Sequence, residues 1–136
     1  MTIATRLHAK APYMQSLLRM ASGYLLLLHG TAKLLGIPFV PMFADLHLLS
    51  TGGVAAVIEL VCGALLLVGL LTRTSALIAF GLSVATYFVD HVVPLGTVLF
   101  PLLNTGESAV LFAAIFLYIF FAGAGPWSLD AMHHPD

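Results

Sequence analysis

Arg19, His29, Lys33, Glu59, Asp90, His91, Asn104 and Glu107 are side chains of this sequence that carry charge, exchange protons or pair hydrogen bonds within or beside long apolar runs. His29 and Lys33 follow the four leucines 25 to 28 and stand four positions apart. On a helix that spacing puts an imidazole and an ammonium one turn apart on the same side. Glu59 opens the apolar run ELVCGALLLVG. Carboxylate, imidazole and amine together support three kinds of chemistry. They can form an internal ion pair, relay protons through His29, Glu59 and Glu107, or hydrogen-bond the polar head of a small amphipathic molecule such as a quinone. In the last case the head meets His29, Lys33 and Glu59. Phe39, Phe43 and Phe100, with Tyr24 or Tyr87, would wall its apolar ring, although aromatics in such loops also read as interfacial anchors.

Other chemistries lack the residues they need. Cys62 is the single cysteine, so an intramolecular disulfide, a CxxC redox pair and a thiolate-rich metal site are all excluded. No tight ligand cluster suits zinc. A haem between His29 and His91 needs both rings at one depth, and their places in the chain put them several residues out of step. No metal is expected. The net charge of −1 suggests neither nucleic acid nor a polybasic membrane tail.

Composition fixes the elements that must hold these groups. Of 136 residues, 60% are hydrophobic and 8% charged, against about 25% charged in soluble domains. Mean hydropathy is +1.05. A chain this apolar cannot cover its own surface with polar atoms, and a bilayer is its natural solvent. The expected fold is all-α, an integral membrane four-helix bundle forming one domain over residues 1–136. Spans of about 20 apolar residues are read at roughly 13–35, 53–71, 74–91 and 105–123. IPFVP and TGG bracket a loop, LTRT makes a tight turn, and Pro94, Gly96 and Pro101 interrupt the approach to the last span. The first apolar stretch is long and lacks a small-residue cleavage site, so it reads as a span and not as a signal peptide. Gly23, Gly30, Gly63 and Gly69 would let helices approach closely.

Orientation follows from the cations. Arg6 and Lys10 precede the first span, Arg73 joins the second to the third, and the two opposite loops have neither Lys nor Arg. The positive-inside rule then puts both termini and Arg73 in the cytoplasm. In that frame Glu59 lies roughly 9 Å into the bilayer from the outer side. His29, Lys33, Glu59, Asp90, His91, Asn104 and Glu107 converge on the outer half, and Arg19 alone occupies the inner half. An ion near the bilayer centre costs on the order of 3 kcal/mol, so these groups should face protein or water. Lys33 is expected to pair with Glu59 or Glu107, with His29 hydrogen-bonded in the same cluster.

Each residue has a plainer reading. Lys33 can snorkel to headgroups. His29 can serve as an interhelical hydrogen-bond partner. Glu107 can be a favourable anion in the first turn of the last span, with Asn104 or Thr105 as its cap. Asp90 and His91 can be solvated at the interface, Arg19 can reach cytoplasmic phosphates, and Cys62 can fill space. Glu59 is too deep to snorkel far, which favours a pairing or functional role.

The pattern resembles the DoxX family of small bacterial four-helix membrane proteins. The resemblance rests on RMASGYLLLLHGTAKLLG (19–36), IELVCGALLLVGLLTRTSAL (58–77), NTGESAVLF (104–112) and GAGPWSLD (123–130). It marks Arg19, His29, Gly30, Lys33, Glu59, Gly63, Gly69, Arg73, Asn104, Gly106, Glu107 and the SLD segment as family-type positions. The resemblance implies a membrane partner of redox enzymes, since relatives include a subunit of a thiosulfate:quinone oxidoreductase and a component of an oxidative-stress complex. With one cysteine and no cofactor motif, this chain would bind a carrier or dock a partner, not perform the redox step unaided. In GAGPWSLD, the glycines and Pro126 stop the last span and Trp127 sits at the interface. Ser128 caps a short amphipathic helix, or the segment is simply a frayed tail.

Three functions therefore remain: a quinone- or redox-linked binding subunit of an oxidoreductase complex, a structural or assembly subunit, and a proton-coupled permease built as a homo-oligomer. A cavity containing Glu59 and opening laterally to lipid supports the first, a solid, fully paired cluster with no cavity the second, and a continuous polar path reaching Arg19 and the cytoplasm the third.

Overall fold

The computed structural model describes residues 2–133, and within them it is all-helical, with no strand. A short α1 (Ile3–His8) leads into α2 (Ala11–Leu35). Pro12 lies in the first turn of α2, where its missing N–H costs nothing. Gly36 ends the helix in the left-handed conformation at φ 64°. A loop with one 3₁₀ turn at Pro41–Phe43 leads to α3 (Thr51–Val68). The Ser50 hydroxyl caps α3 by accepting the Gly53 N–H at 3.1 Å. TGG therefore belongs to the first turn of the helix and not to the loop.

Gly69, at φ 73°, closes α3, and the chain turns directly into α4 (Thr72–Thr86). The helical rod continues through a π turn at Tyr87–Val92 and ends with α5 (Val93–Leu95). Pro94 has no N–H for the carbonyl one turn behind it, and the wider turn lies just before that gap. After a loop come α6 (Glu107–Ala122) and α7 (Leu129–His133).

The spans read from sequence fall on α2, α3, the rod from α4 and α6, with shifted ends: α3 covers Thr51–Val68 against 53–71, and the rod starts at Thr72, within the expected turn. The rod runs past His91 to Leu95. The last helix starts at Glu107, because Thr105 takes a left-handed φ of 59° and Asn104 folds onto the Gly106 N–H. Two stretches, Thr51–Val68 and Thr72–Leu95, are both long and apolar enough to cross a membrane. The 25-residue α2 is long enough but diluted by Gln15, Arg19, His29 and Lys33. The 16-residue α6 is about 24 Å long, shorter than a typical hydrocarbon core of about 30 Å.

Helices α2 and α3 run antiparallel and very close. A methyl group on Gly30 would lie 2.5 Å from the Leu60 backbone nitrogen, and one on Gly63 would strike the Leu27 backbone. Such approaches are available only to residues without a side chain. Leu26, Cys62, Leu66, Ala76, Ala79, Phe116 and Ile119 form the buried apolar cluster between α2, α3, α4 and α6.

Around that cluster the usual distribution is inverted. Ser16, Arg19, Ser22, Ser75, Ser83 and Asn104 are buried, while valines and leucines along α3 and α4, such as Val54, Val57, Val61 and Leu77, are about half exposed. Two buried serine hydroxyls bond within their own helices, whereas the buried Thr72 hydroxyl has no partner among the described residues. Ser22 Oγ donates to Leu18 O and Ser83 Oγ donates to Ala79 O, each at 2.8 Å.

Candidate functional site

Polar groups collect at two opposite ends of the helices. At the first end, Lys33 near the C-terminus of α2 meets Glu59 in the first half of α3. Their Nζ and Oε1 atoms are 2.8 Å apart. The close passage of Gly30 against Leu60 brings the two backbones together and sets this reach. Glu59 is 5% exposed. Its second oxygen, Oε2, is buried with no hydrogen-bond partner among the described residues. Lys33 Nζ also lies 5.4 Å from the centre of the Phe43 ring, within cation–π range.

The pair lines a cavity of about 600 Å³, which His29, Asp90 and His91 also border. That volume lies in the range of small-molecule sites, about 300 to 1,000 Å³. The walls are Leu26, Met42, Phe43, Leu46, Leu82 and Phe112, with hydroxyls from Ser83, Thr86, Thr105 and Ser108. Of these hydroxyls only Thr105 stands out in the sequence, as a candidate cap, and neither the others nor Phe112 does. Their signal was present on α4, where Ser83, Thr86 and Asp90 recur at helical spacing on one face. Of the aromatics expected to wall the site, Phe43 does so. Phe39, Phe100 and Tyr24 are exposed elsewhere, and Tyr87 is buried outside it.

His29 does not hydrogen-bond into the ion cluster as expected. Its Nδ1 lies 2.9 Å from the Leu25 carbonyl of its own helix, and its ring meets Phe112 edge-on at 6.0 Å between centroids. A carbonyl only accepts, so Nδ1 carries the proton. His91 has the same arrangement, with Nδ1 3.0 Å from the Asn104 carbonyl, and its ring stacks on Tyr87. Asp90 and His91 thus border the cavity, Asp90 as an exposed group and His91 half-buried.

Asn104 and Glu107 do not line the cavity. Asn104 is fully buried and organises the preceding loop. Its amide donates to Thr97 O at 2.7 Å and to Tyr87 Oη at 3.3 Å, and its Oδ1 accepts the Gly106 N–H at 2.9 Å. Tyr87 in turn donates to Val98 O at 2.6 Å. The residue that caps α6 is Gly106, without a side-chain hydrogen bond, so neither Asn104 nor Thr105 caps it. Glu107 is exposed in the first turn of α6. An anion is favourable there, but it takes no part in the Lys33–Glu59 pair.

At the second end, Arg19 is fully buried and does not extend toward headgroup phosphates. Its Nε donates to Ala124 O at 2.8 Å and its Nη1 to Leu67 O at 3.0 Å. Further bonds go to Leu66 O and Trp127 O. One guanidinium therefore satisfies the open carbonyls at the C-terminus of α3 and fastens the segment after α6 to them. Arg73 does the same for α6, donating to Phe120 O and Phe121 O at 2.6 and 2.8 Å.

Asp130 completes this clamp. Its carboxylate accepts the Leu71 and Thr72 N–H groups at 2.9 and 2.8 Å, and its own N–H donates to Gly69 O at 2.8 Å. It thereby caps α4, whose preceding residue, Leu71, holds a left-handed φ of 50°. Burial works to raise the Asp130 carboxyl. The hydrogen bonds from Thr72 and Leu71 and the charge of Arg19 outweigh it and hold the group below its ordinary value. Ser128 caps α7 by accepting the Ala131 N–H at 3.1 Å. GAGPWSLD is thus a tethered segment and not a frayed tail.

A family model described as DoxX matches residues 14–92. These residues include Lys33, Glu59, Asp90 and His91. An uncharacterized protein of Haemophilus influenzae is 40% identical over 129 residues, covering 88% of this chain and 90% of its own length. No solved structure matches the chain.

Proposed function

The chain belongs to the DoxX family, and from that premise we propose that it is a multi-pass bacterial inner-membrane protein whose cavity binds the polar head of a small amphipathic carrier. In this reading α2, α3, the α4 rod and α6 form a four-helix bundle in one membrane domain. Both termini and the Arg19–Asp130 clamp lie on the cytoplasmic side, and the cavity lies in the outer half of the bilayer. Support comes from the polar interior and apolar exterior, and from the placement of Arg6, Lys10 and Arg73 relative to the two cation-free loops.

The observation that carries the binding reading is the buried Glu59 carboxylate. It is half satisfied by Lys33 and borders a cavity of ligand size. A quinone is the leading carrier class by family resemblance. Phe43 and Phe112 offer flat apolar walls, and Lys33, His29 and Glu59 offer polar contacts at one end. The chain would hold and orient the carrier for an oxidoreductase partner in the membrane, alone or as a homo-oligomer.

An assembly role draws support from the Lys33–Glu59 bridge itself, which fixes the register of α2 on α3. A fully satisfied pair with no adjoining cavity would have favoured that role. The permease reading needs a polar path to Arg19, and Arg19 is enclosed by carbonyls away from the cavity.

Mild detergent extraction, followed by mass spectrometry of co-purifying lipids, quinones and proteins, tests the proposal. A carrier-class small molecule in near-stoichiometric amount is expected. Recovery of a stable protein partner with no small molecule would favour the assembly role.

A further inference from the structure

We propose that the cavity selects a neutral ligand bearing hydroxyl hydrogen-bond donors over an otherwise identical ligand that can only accept. The inference rests on the binding reading above and specifies the head group: within the quinone class it favours the reduced, hydroxyl-bearing form over the quinone, whose carbonyls only accept. Glu59 Oε2 is a carboxylate oxygen with no partner among the described residues. His29 and His91 each commit Nδ1–H to a backbone carbonyl, at 2.9 and 3.0 Å. In a neutral imidazole that choice leaves Nε2 as an acceptor. With the Asp90 carboxylate, which also borders the cavity, four acceptor groups thus belong to side chains around it.

The cavity's cation offers little in return. Lys33 is engaged by Glu59 Oε1 and covered on one side by Phe43. Its charge balances that of Glu59 and its ammonium repels a second cation beside the pair, while Asp90, the cavity's other carboxylate, is exposed. An anion would meet Oε2 and be repelled by it. A neutral hydroxyl escapes both penalties and gains a charge-assisted hydrogen bond. A head that only accepts leaves Oε2 unpaired and displaces any water that could serve it.

The test uses the full-length protein in lipid nanodiscs and two probes on one frame, 4-butylphenol and 4-butylanisole. Binding is counted as the excess over protein-free nanodiscs. The phenol is expected to bind at least about tenfold more tightly than the ether, the effect of one charge-assisted hydrogen bond. Glu59→Gln should shrink that ratio. His29→Phe, at an exposed position outside the ion pair, should shrink it as well, and serves if Glu59→Gln does not fold. Equal binding of the two probes overturns the donor preference but leaves the cavity as a binding site. Binding of neither probe overturns the binding reading and the preference together. A wild-type ratio unchanged in both folded variants contradicts the assignment of the acceptors.

Discussion

Lys33 Nζ and Glu59 Oε1 stand 2.8 Å apart, 26 residues distant in sequence and on adjacent antiparallel helices. Both side chains are largely buried. Removing one partner strands a charge, whereas removing both leaves a neutral contact. Lys33→Met or Glu59→Ala alone should therefore lower stability by about 3–5 kcal/mol, and the double variant should recover much of the loss. Thermal unfolding of the four proteins in one detergent checks this. Additive losses in the double variant would mean that the bridge is not formed.

Glu59 and Asp90 both border the cavity, but only Glu59 is buried with an unpaired oxygen. Glu59→Gln should impair ligand retention more than Asp90→Asn at matched membrane abundance. Bound small molecule per protein, measured after purification, is the readout, and equal retention in both variants counts against a working cavity.

Gly30 meets the Leu60 backbone where α2 crosses α3. Gly30→Ala must push the helices apart, at a cost of about 1–3 kcal/mol, and should loosen the Lys33–Glu59 bridge one turn away. Gly81, with open space where its side chain would be, is the control. Gly81→Ala should leave the midpoint unchanged or slightly raised.

The Arg19–Asp130 clamp predicts a pH dependence with a definite sign. Asp130 is held below its ordinary value, so its contribution to stability is complete above about pH 3.9, the unperturbed carboxylate value. It is lost as pH falls through the depressed native value. Release of α7 should then expose residues 123–133 to protease at low pH, and Asp130→Asn should expose them at neutral pH. Limited proteolysis with mass mapping reads both effects. Arg19→Lys should also release the segment, because an ammonium cannot reproduce the planar fork that serves Leu66, Leu67, Ala124 and Trp127.

The main helices and the Lys33–Glu59 contact were legible because ions are scarce here and apolar runs are long. Few arrangements keep a lysine and a glutamate out of hydrocarbon. Glu107 was misplaced because its direction depends on where α6 begins. Starting one residue after Gly106, the helix turns Glu107 about 200° away from the buried Ala109. His29 was assigned to the cluster by spacing alone, but its Nδ1 found the nearer carbonyl of Leu25. Arg19 read as a lone inner cation. Its partners are backbone carbonyls at helix ends, whose supply of acceptors leaves no mark in side-chain identity. The SLD segment was readable as a cap, but the contact of Asp130 with Leu71 and Thr72 joins residues 58 or more positions apart.

The most direct test of the cavity as a binding site compares wild type with Ser108→Trp. This variant fills the cavity from α6 and leaves Lys33 and Glu59 unchanged. The small molecule that co-purifies with each is quantified by mass spectrometry. The cavity reading predicts a near-stoichiometric molecule in wild type and its loss in Ser108→Trp, with unfolding midpoints alike in the ligand-free state. The same molecule at the same occupancy in both proteins would contradict it.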